Sequence, residues 1–569
     1  MATPLGELVR KRTERSGQLR FDERYCHDPL GRVRDVHTGI APDGGGALTQ
    51  YRTQTFYDTQ HGWPKQIIYP GERVSVRWVR NDRGAPVEVR NMAGDGLLRR
   101  LTAMDQHGGE AGVELGNNWH LATELDPATG VMTRQTTRLG GSVIDQWDYR
   151  YDAFGNLTRQ TRVGGTNGEE SFYYDLQQRM VGRRTGTGPA YTVSYAYTVT
   201  GNIDFKSDYS RTEAGAYTYH ATRPNAVERV KRPSGLADDV YGYDANGNLV
   251  SGNQISASYD GANRAARLSR SGAQQHFEYA PGGARFRQVN VAKGEETRYV
   301  GGIEEVRSQI SGTLLYVRHS VAANVWITVD CPAGNCGAAS VRYAVQDRLG
   351  STVLFGTSTG AVTDRKTYDP YGKPREGNFS ESITSPFANI FSTAASGGLL
   401  GRDTVRGFTA HEHLDEVRLI HMNGRVFDYT LGRFHAVDPI IQFPSNSQSL
   451  NPYSYILNNP MAGTDPSGYA ACTMESKVSC LEPGVNSVTD AEGNVTTVVV
   501  GEQGENIAFT GNWSVNQFKY IAPGINVALN PTNGAEQWIK NGPAREKGAD
   551  IGAAKTSGKG CAGGGPIQC

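Results

Sequence analysis

The chain has 569 residues, with 58 Lys+Arg against 58 Asp+Glu and a formal net charge of zero, so it lacks the basic balance of a chain that coats nucleic acid. Hydrophobic residues make up only 37%, while Gly reaches 70 and Tyr outnumbers Phe 28 to 17. That composition excludes a thick globular core and suits many short hairpins sharing thin, Tyr-rich faces; with 7 Trp beside the tyrosines it also speaks against disorder.

The N-terminal stretch from Met1 to Phe21 is charged and has no apolar core of a signal peptide. No run of about 18 apolar residues occurs, so no membrane span is expected. A repeat-like phrase already stands at Arg24-Tyr25-Cys26-His27-Asp28-Pro29-Leu30-Gly31, and Phe56-Tyr57-Asp58 is another. The chain therefore reads as starting inside a repeat. The expectation is either the C-terminal piece of a longer protein or a stand-alone partner of a separate delivery protein.

From residue 149 the repeat is plain. Tyr151-Asp152-Ala153-Phe154-Gly155-Asn156-Leu157 and Tyr243-Asp244-Ala245-Asn246-Gly247-Asn248-Leu249 are the clearest copies. Marker tyrosines at 151, 174, 197, 219, 243, 259, 279 and 299 lie 16 to 24 residues apart, the length of one strand–turn–strand unit. Alternating Tyr-x-Tyr sets two aromatics on one strand face. The following Asp can turn the chain by accepting amides two residues on, and Gly closes the turn with positive φ. One such hairpin is unstable alone, so stacked hairpins should form one continuous wound sheet. A propeller needs about 40 residues per blade, roughly twice this period.

Tyr-Asp-x-x-Gly-Asn-Leu at this period resembles the YD repeat of Rhs proteins, toxin-complex C subunits, WapA-type toxins and teneurins. The resemblance implies an all-β fold in which YD hairpins wind into a spiral β-sheet shell, or cocoon.

The next segment continues the resemblance. Tyr299-Val300-Gly301-Gly302 is similar to the step before the Rhs-associated core, and Tyr343 to Ser351 and Tyr368 to Gly372 are further family phrases. Cys331 and Cys336 form a Cys-x4-Cys loop, which reads as a local disulfide rather than half a metal site. Seven cysteines so unevenly placed exclude a disulfide framework for the whole chain, though Cys472, Cys480, Cys561 and Cys569 could form two disulfides in an oxidising compartment. Residues 377–401 read as an inserted loop. His411 and His413 would share a face on a strand and invite zinc, but Gly407-Phe408-Thr409-Ala410-His411-Glu412 resembles a structural Rhs strand, so no metal is assigned.

Residues 429–469 carry the densest set of family phrases. Gly432-Arg433-Phe434, Asp438-Pro439, Asn451-Pro452-Tyr453, Asn458-Asn459-Pro460 and Asp465-Pro466-Ser467-Gly468-Tyr469 resemble the hallmark of the Rhs-associated core. In several members this segment plugs the shell and cuts the chain after the second Asp-Pro motif. Such chemistry needs a carboxyl pair, one group activating water and the other held protonated, with an arginine to steady charge. The candidates are Asp438, Asp465 and Arg433, with the scissile bond near Tyr469. The first motif continues as Ile440-Ile441 where the family pattern has Gly, so a turn-shaping role for both Asp-Pro pairs is the alternative.

In the tail, Val485–Val500 reads as a hairpin split at 490–494, residues 534–540 as a short helix, and 556–569 as a loose Gly-rich end. The last hundred residues hold no His, which excludes His-dependent nuclease, Cys-His, Ser-His and zinc-deaminase chemistry confined there. Seven Lys+Arg against nine Asp+Glu give no basic nucleic-acid face.

The sequence thus divides into a YD-repeat shell over 1–300, an Rhs-associated core over 301–469 and a variable C-terminal module over 470–569. The reading is a secreted or cell-surface toxin carrier used in interbacterial competition or host attack. Its expected partners are a delivery protein or secretion-system component and an immunity protein. The alternative is an adhesive YD-repeat protein that binds carbohydrate and has neither toxin nor protease. No cofactor is expected.

Overall fold

Each repeat closes its turn with its own aspartate. In the Tyr151–Leu157 copy, Asp152 Oδ1 accepts the amides of Phe154 and Asn156 at 2.9 Å, and Oδ2 accepts Asn156 Nδ2 at 2.9 Å. Asp28, Asp175, Asp244 and Asp260 repeat the pattern, with Arg or Asn four residues on supplying the side-chain donor. A β-bulge sits at every marker tyrosine from Tyr151 to Tyr279, for example between Arg150 and Tyr151, and is absent at Tyr299. Gly155, at φ +82°, takes the left-handed position in the turn. The tyrosine hydroxyl then reaches back to the preceding unit. Tyr151 donates to Met132 O at 2.7 Å, Tyr174 to Leu157 O at 2.8 Å, Tyr197 to Met180 O at 2.8 Å and Tyr219 to Ile203 O at 2.7 Å. Asp therefore makes the turn, and Tyr ties one hairpin to the next.

The computed structural model describes residues 8–469, apart from 83, 107–108, 381–403 and 444–445, together with the backbone of the short strands Cys472–Thr473, Gly484–Thr489, Val495–Val500 and Ile507–Thr510. A 17-stranded sheet runs from Arg10–Arg15 to Ile203–Lys206. Its strands pair antiparallel with their sequence neighbours, as in Gln18–His27 with Val33–Ile40 and Ser142–Tyr151 with Leu157–Val163. A three-stranded sheet spans Tyr217–His220 to Asp239–Val240, and a 14-stranded sheet follows from Gly242–Tyr243 to Pro374–Glu376.

The second large sheet runs alongside the first in the same order. Arg20 meets Glu278 at 3.1 Å, Thr49 meets Arg298 at 2.8 Å and Arg99 meets Asn324 at 3.3 Å. Further on, Trp119 Nε1 donates to Gly360 O at 2.9 Å, and Arg375 pairs with Glu170 at 2.7 Å. Partners that advance together in both sheets describe successive turns of a spiral wall, not a closed barrel. Apolar layers lie between the turns, such as Val76, Leu98 and Trp119 with Val325, Tyr343 and Leu354.

A four-stranded sheet, Glu412–Leu414, Leu419–Met422, Arg425–Asp428 and Arg433–Phe434, is seated against the wall. Phe408, Ile420, Phe427, Phe434 and Tyr455 share one core with Trp147, Phe172 and Tyr371 of the two large sheets. The asparagine-rich phrases that follow dock on the YD turns. Asn459 Nδ2 donates to Asn156 Oδ1 at 2.8 Å, Asn451 Nδ2 to Asn202 Oδ1 at 2.8 Å, Asn458 Nδ2 to Gly201 O at 2.9 Å and Tyr453 OH to Gly247 O at 2.7 Å. The same Gly-Asn positions that close the hairpins thus receive the closing segment.

Cys331 and Cys336 form a disulfide. Strand formation in the Gly407–Glu412 phrase starts only at Glu412, because Phe408–Ala410 forms a 3-10 turn with Thr409 at φ +47°. Strands Gly484–Thr489 and Val495–Val500 pair as the hairpin read from the sequence. The helix over 534–540, the loose end over 556–569, Cys480, Cys561 and Cys569 lie outside the described residues, as does most of the 377–401 insertion. Among the described residues no helix is long and apolar enough to cross a membrane.

Candidate functional site

The site forms where the second Asp-Pro turn lands on a hairpin. Asn423-Gly424 joins Leu419–Met422 to Arg425–Asp428, with Asn423 at φ +58°. The Asp465–Gly468 turn docks on that tip. Gly424 N–H donates to Ser467 O at 2.9 Å and Asn423 Nδ2 to Pro466 O at 2.8 Å. Tyr469 OH donates to Gly424 O at 3.0 Å. Two glycines make the approach possible. A Cβ on Gly468 would stand 2.0 Å from Met422 O, and one on Gly424 would stand 2.1 Å from the Tyr469 ring.

This docking brings both aspartates to one guanidinium. Arg425 Nη2 lies 2.8 Å from Asp438 Oδ2 and 3.3 Å from Asp465 Oδ2. Arg425 Nε donates to Gly468 O, and Nη1 donates to Pro452 O at 3.0 Å. Its Cζ sits 3.7 Å from the Phe434 ring centre, and the side chain is nearly fully buried. The arginine therefore spans from the carboxyl pair to the peptide preceding Tyr469.

Asp438 also shapes a turn. Its Oδ1 accepts Ile440 N–H at 2.9 Å, and its own N–H donates to Pro452 O at 3.0 Å. Burial pushes its carboxyl up to about 7, opposed by Arg425 and reinforced by the Asp465 charge. A carboxyl poised there holds a proton near neutral pH while it remains next to a second carboxyl, the arrangement that divides acid and base roles between two like groups.

Arg433 lies elsewhere. Its Nη1 donates to Asn458 Oδ1 at 2.9 Å and to Gly432 O at 3.1 Å, while Nε and Nη2 are buried without a hydrogen-bond partner. It pairs across the sheet with Asp428, away from the Met422–Arg425 tip where the turn docks. The guanidinium at the carboxyl pair is that of Arg425. Sequence reasoning had no spacing rule to select it, because Arg425 is joined to the aspartates only through the docked turn.

The histidines support the scaffold. His411 Nε2 donates to Asp465 O at 2.9 Å, holding the turn from behind. His413 Nε2 accepts Phe408 N–H at 3.0 Å, so its ring nitrogen is used in the 3-10 turn. Burial lowers His411 to about 4 and His413 to about 3. No group of three or more His, Cys, Asp and Glu side chains is placed to hold a metal among the described residues.

No protein-family profile matches the chain. It is 21% identical over 242 residues to tRNA nuclease WapA of Bacillus subtilis (strain 168), an alignment covering 41% of this chain and 9% of that protein. It is also 22% identical over 242 residues to the tRNA(Glu)-specific nuclease WapA of Bacillus subtilis subsp. natto, covering 41% of this chain and 9% of the relative. Among solved structures it is similar to TcdB2-TccC3 without its hypervariable C-terminal region, with a TM-score of 0.63 and 15% identity over 81% of this chain and 24% of the other. The Photorhabdus luminescens Tc holotoxin pore gives a TM-score of 0.61 at 15% identity, over 82% of this chain and 24% of the other. The turn mechanics, the spiral path of the sheets and these neighbours together show a shell-type β-fold, and the repeat wording and the relatives support the Rhs/YD-repeat resemblance.

Proposed function

We propose that this chain is the wall and closing segment of a toxin carrier, that residues 470–569 are its effector, and that the chain cuts itself near Tyr469. The observation that carries the reading is Arg425, whose Nη2 meets Asp438 and Asp465 while its Nε binds the carbonyl of Gly468. In this reading the Asp465 carboxyl takes a proton from a water whose oxygen adds to the Tyr469 carbonyl carbon. The Tyr469–Ala470 bond then breaks, and the protonated Asp438 carboxyl supplies the proton that leaves with the Ala470 nitrogen. Arg425 holds the two carboxyls and the preceding peptide in one frame; it is a positioning residue and replaces Arg433 in that role.

The domain division at 300 and 469, secretion or surface display, and use in competition between bacteria belong to the same proposal. So do a delivery protein and an immunity protein as partners; the likeness to a component of a Tc holotoxin supports the former. Intact mass of the purified chain at neutral pH is the test. Two fragments parting near Tyr469, and one uncut mass for Asp438→Asn, Asp465→Asn and Arg425→Gln, are expected. A single mass for the folded parent chain overturns the cleavage reading. Expression of 470–569 in a bacterial cytoplasm tests the effector, and unchanged growth overturns it.

A further inference from the structure

A second charge cluster lies away from the closing segment, where the first hairpins of the wall meet the strands Ala265–Arg270, Ala273–Tyr279 and Arg285–Asn290. A small cavity there is lined by Arg15, Asp43, Arg267, His276, Glu278 and Arg287, among others. Strand register explains the grouping. Arg267 stands opposite His276 and Glu278 opposite Arg287, and His276 and Glu278 are two residues apart. Opposed residues share a face and alternate residues repeat it, so all four project from one side. Arg15 ends the strand Arg10–Arg15 of the first sheet, and Asp43 lies in the loop after its strand Val33–Ile40.

The carboxylates are outnumbered. Glu278 is already shared by Arg15 at 3.5 Å, Arg20 at 3.1 Å and Arg287, and Asp43 pairs with Arg287 at 3.2 Å. Arg267 adds to the cationic side. Arg287 is only 2% exposed, yet its Nη1 has no hydrogen-bond partner. A buried guanidinium N–H left unpaired is costly, and a ligand oxygen would satisfy it. Burial lowers the His276 imidazole, and Arg267, Arg287 and Arg15 lower it further against the opposing effect of Asp43. The local field therefore favours a negative guest.

We propose that this cavity binds a phosphate group through Arg287, Arg267 and Arg15, and so links the first hairpins of the wall to the strands of its next turn. Planar guanidinium forks match the oxygens of phosphate, and no base or sugar recognition is needed. The site is independent of the cutting reaction. The test is calorimetric titration of the full chain with inorganic phosphate at fixed ionic strength, with glycerol phosphate as a second arm and chloride as the control. Saturable phosphate binding is expected, weakened at least about fivefold by Arg267→Gln, an exposed change that leaves the unliganded melting temperature where it was. Arg287→Gln should abolish it. Equal binding of glycerol phosphate assigns a phosphate-monoester site; binding of inorganic phosphate alone assigns a free-phosphate site. No saturable binding of either, or binding unchanged in Arg267→Gln, overturns the proposal even where Arg287→Gln fails to fold.

Discussion

The wall and the closing segment use hydrogen bonds in opposite ways. In the wall, an aspartate caps its own turn and a tyrosine reaches one hairpin back, as Asp175 and Tyr174 do. These turn and tyrosine ties are local and repeated, so losing one leaves its neighbours intact. In the closing segment the ties cross the chain: Asn459 binds Asn156, and Arg425 gathers Asp438, Asp465 and Gly468. These contacts exist once and share atoms. The wall repeats its turn ties along the chain, whereas the closing segment gathers two carboxyls and a backbone carbonyl on one arginine.

The largest break in that contrast should come from Arg425→Met. It removes the cation between two carboxyls that remain near each other, at a cost of about 3–5 kcal/mol by analogy with broken buried ion pairs, with loss of processing. Arg433→Met should leave any processing within a few-fold of the parent; urea unfolding and intact mass compare the two. Gly468→Ala comes next. Its Cβ would meet the Met422 carbonyl at 2.0 Å, so the turn cannot seat, and about 3 kcal/mol is expected from chemical denaturation.

Proton linkage acts in both regions, and at Asp438 with the opposite sign. His411 and His413, lowered to about 4 and about 3, stay neutral in the fold while the unfolded chain takes up protons below an ordinary value of 6.5. Their contribution is present above 6.5 and is lost as pH falls through about 4, so the turn they hold should loosen in acid, as should the wall around His319, which burial also lowers to about 4. Hydrogen exchange at pH 7 and pH 4.5 reads this out. Asp438 runs the other way: raised from 3.8 to about 7, its contribution is present below 3.8 and lost as pH rises through 7. Asp438→Asn should therefore raise the melting temperature at pH 8 and change it little at pH 4. Any cleavage should slow as pH rises past 7. The smallest effect belongs to the wall: Tyr174→Phe removes one inter-hairpin bond and should cost about 1–2 kcal/mol, with processing unchanged.

Much of the wall was legible because its determinants are close in sequence. Asp152, Gly155 and Asn156 act within one turn, so their spacing states their job. The turn-closing asparagines looked purely local, yet Asn156 and Asn202 also receive the closing segment, which no local pattern announces. His411 and His413 suggested a metal by spacing, whereas the 3-10 turn at Phe408–Ala410 puts their nitrogens on backbone groups.

The sequence by itself determined the hairpin unit and its period, because a turn needs only neighbouring residues to form. Only the tertiary structure decided that the second sheet runs alongside the first, and which arginine meets the aspartates. Arg425 and Arg433 are equivalent in charge and near each other in the chain. The Asp465–Gly468 turn, admitted by two glycines that leave room for it, lands on the hairpin tip beside Arg425 and places both carboxyls there.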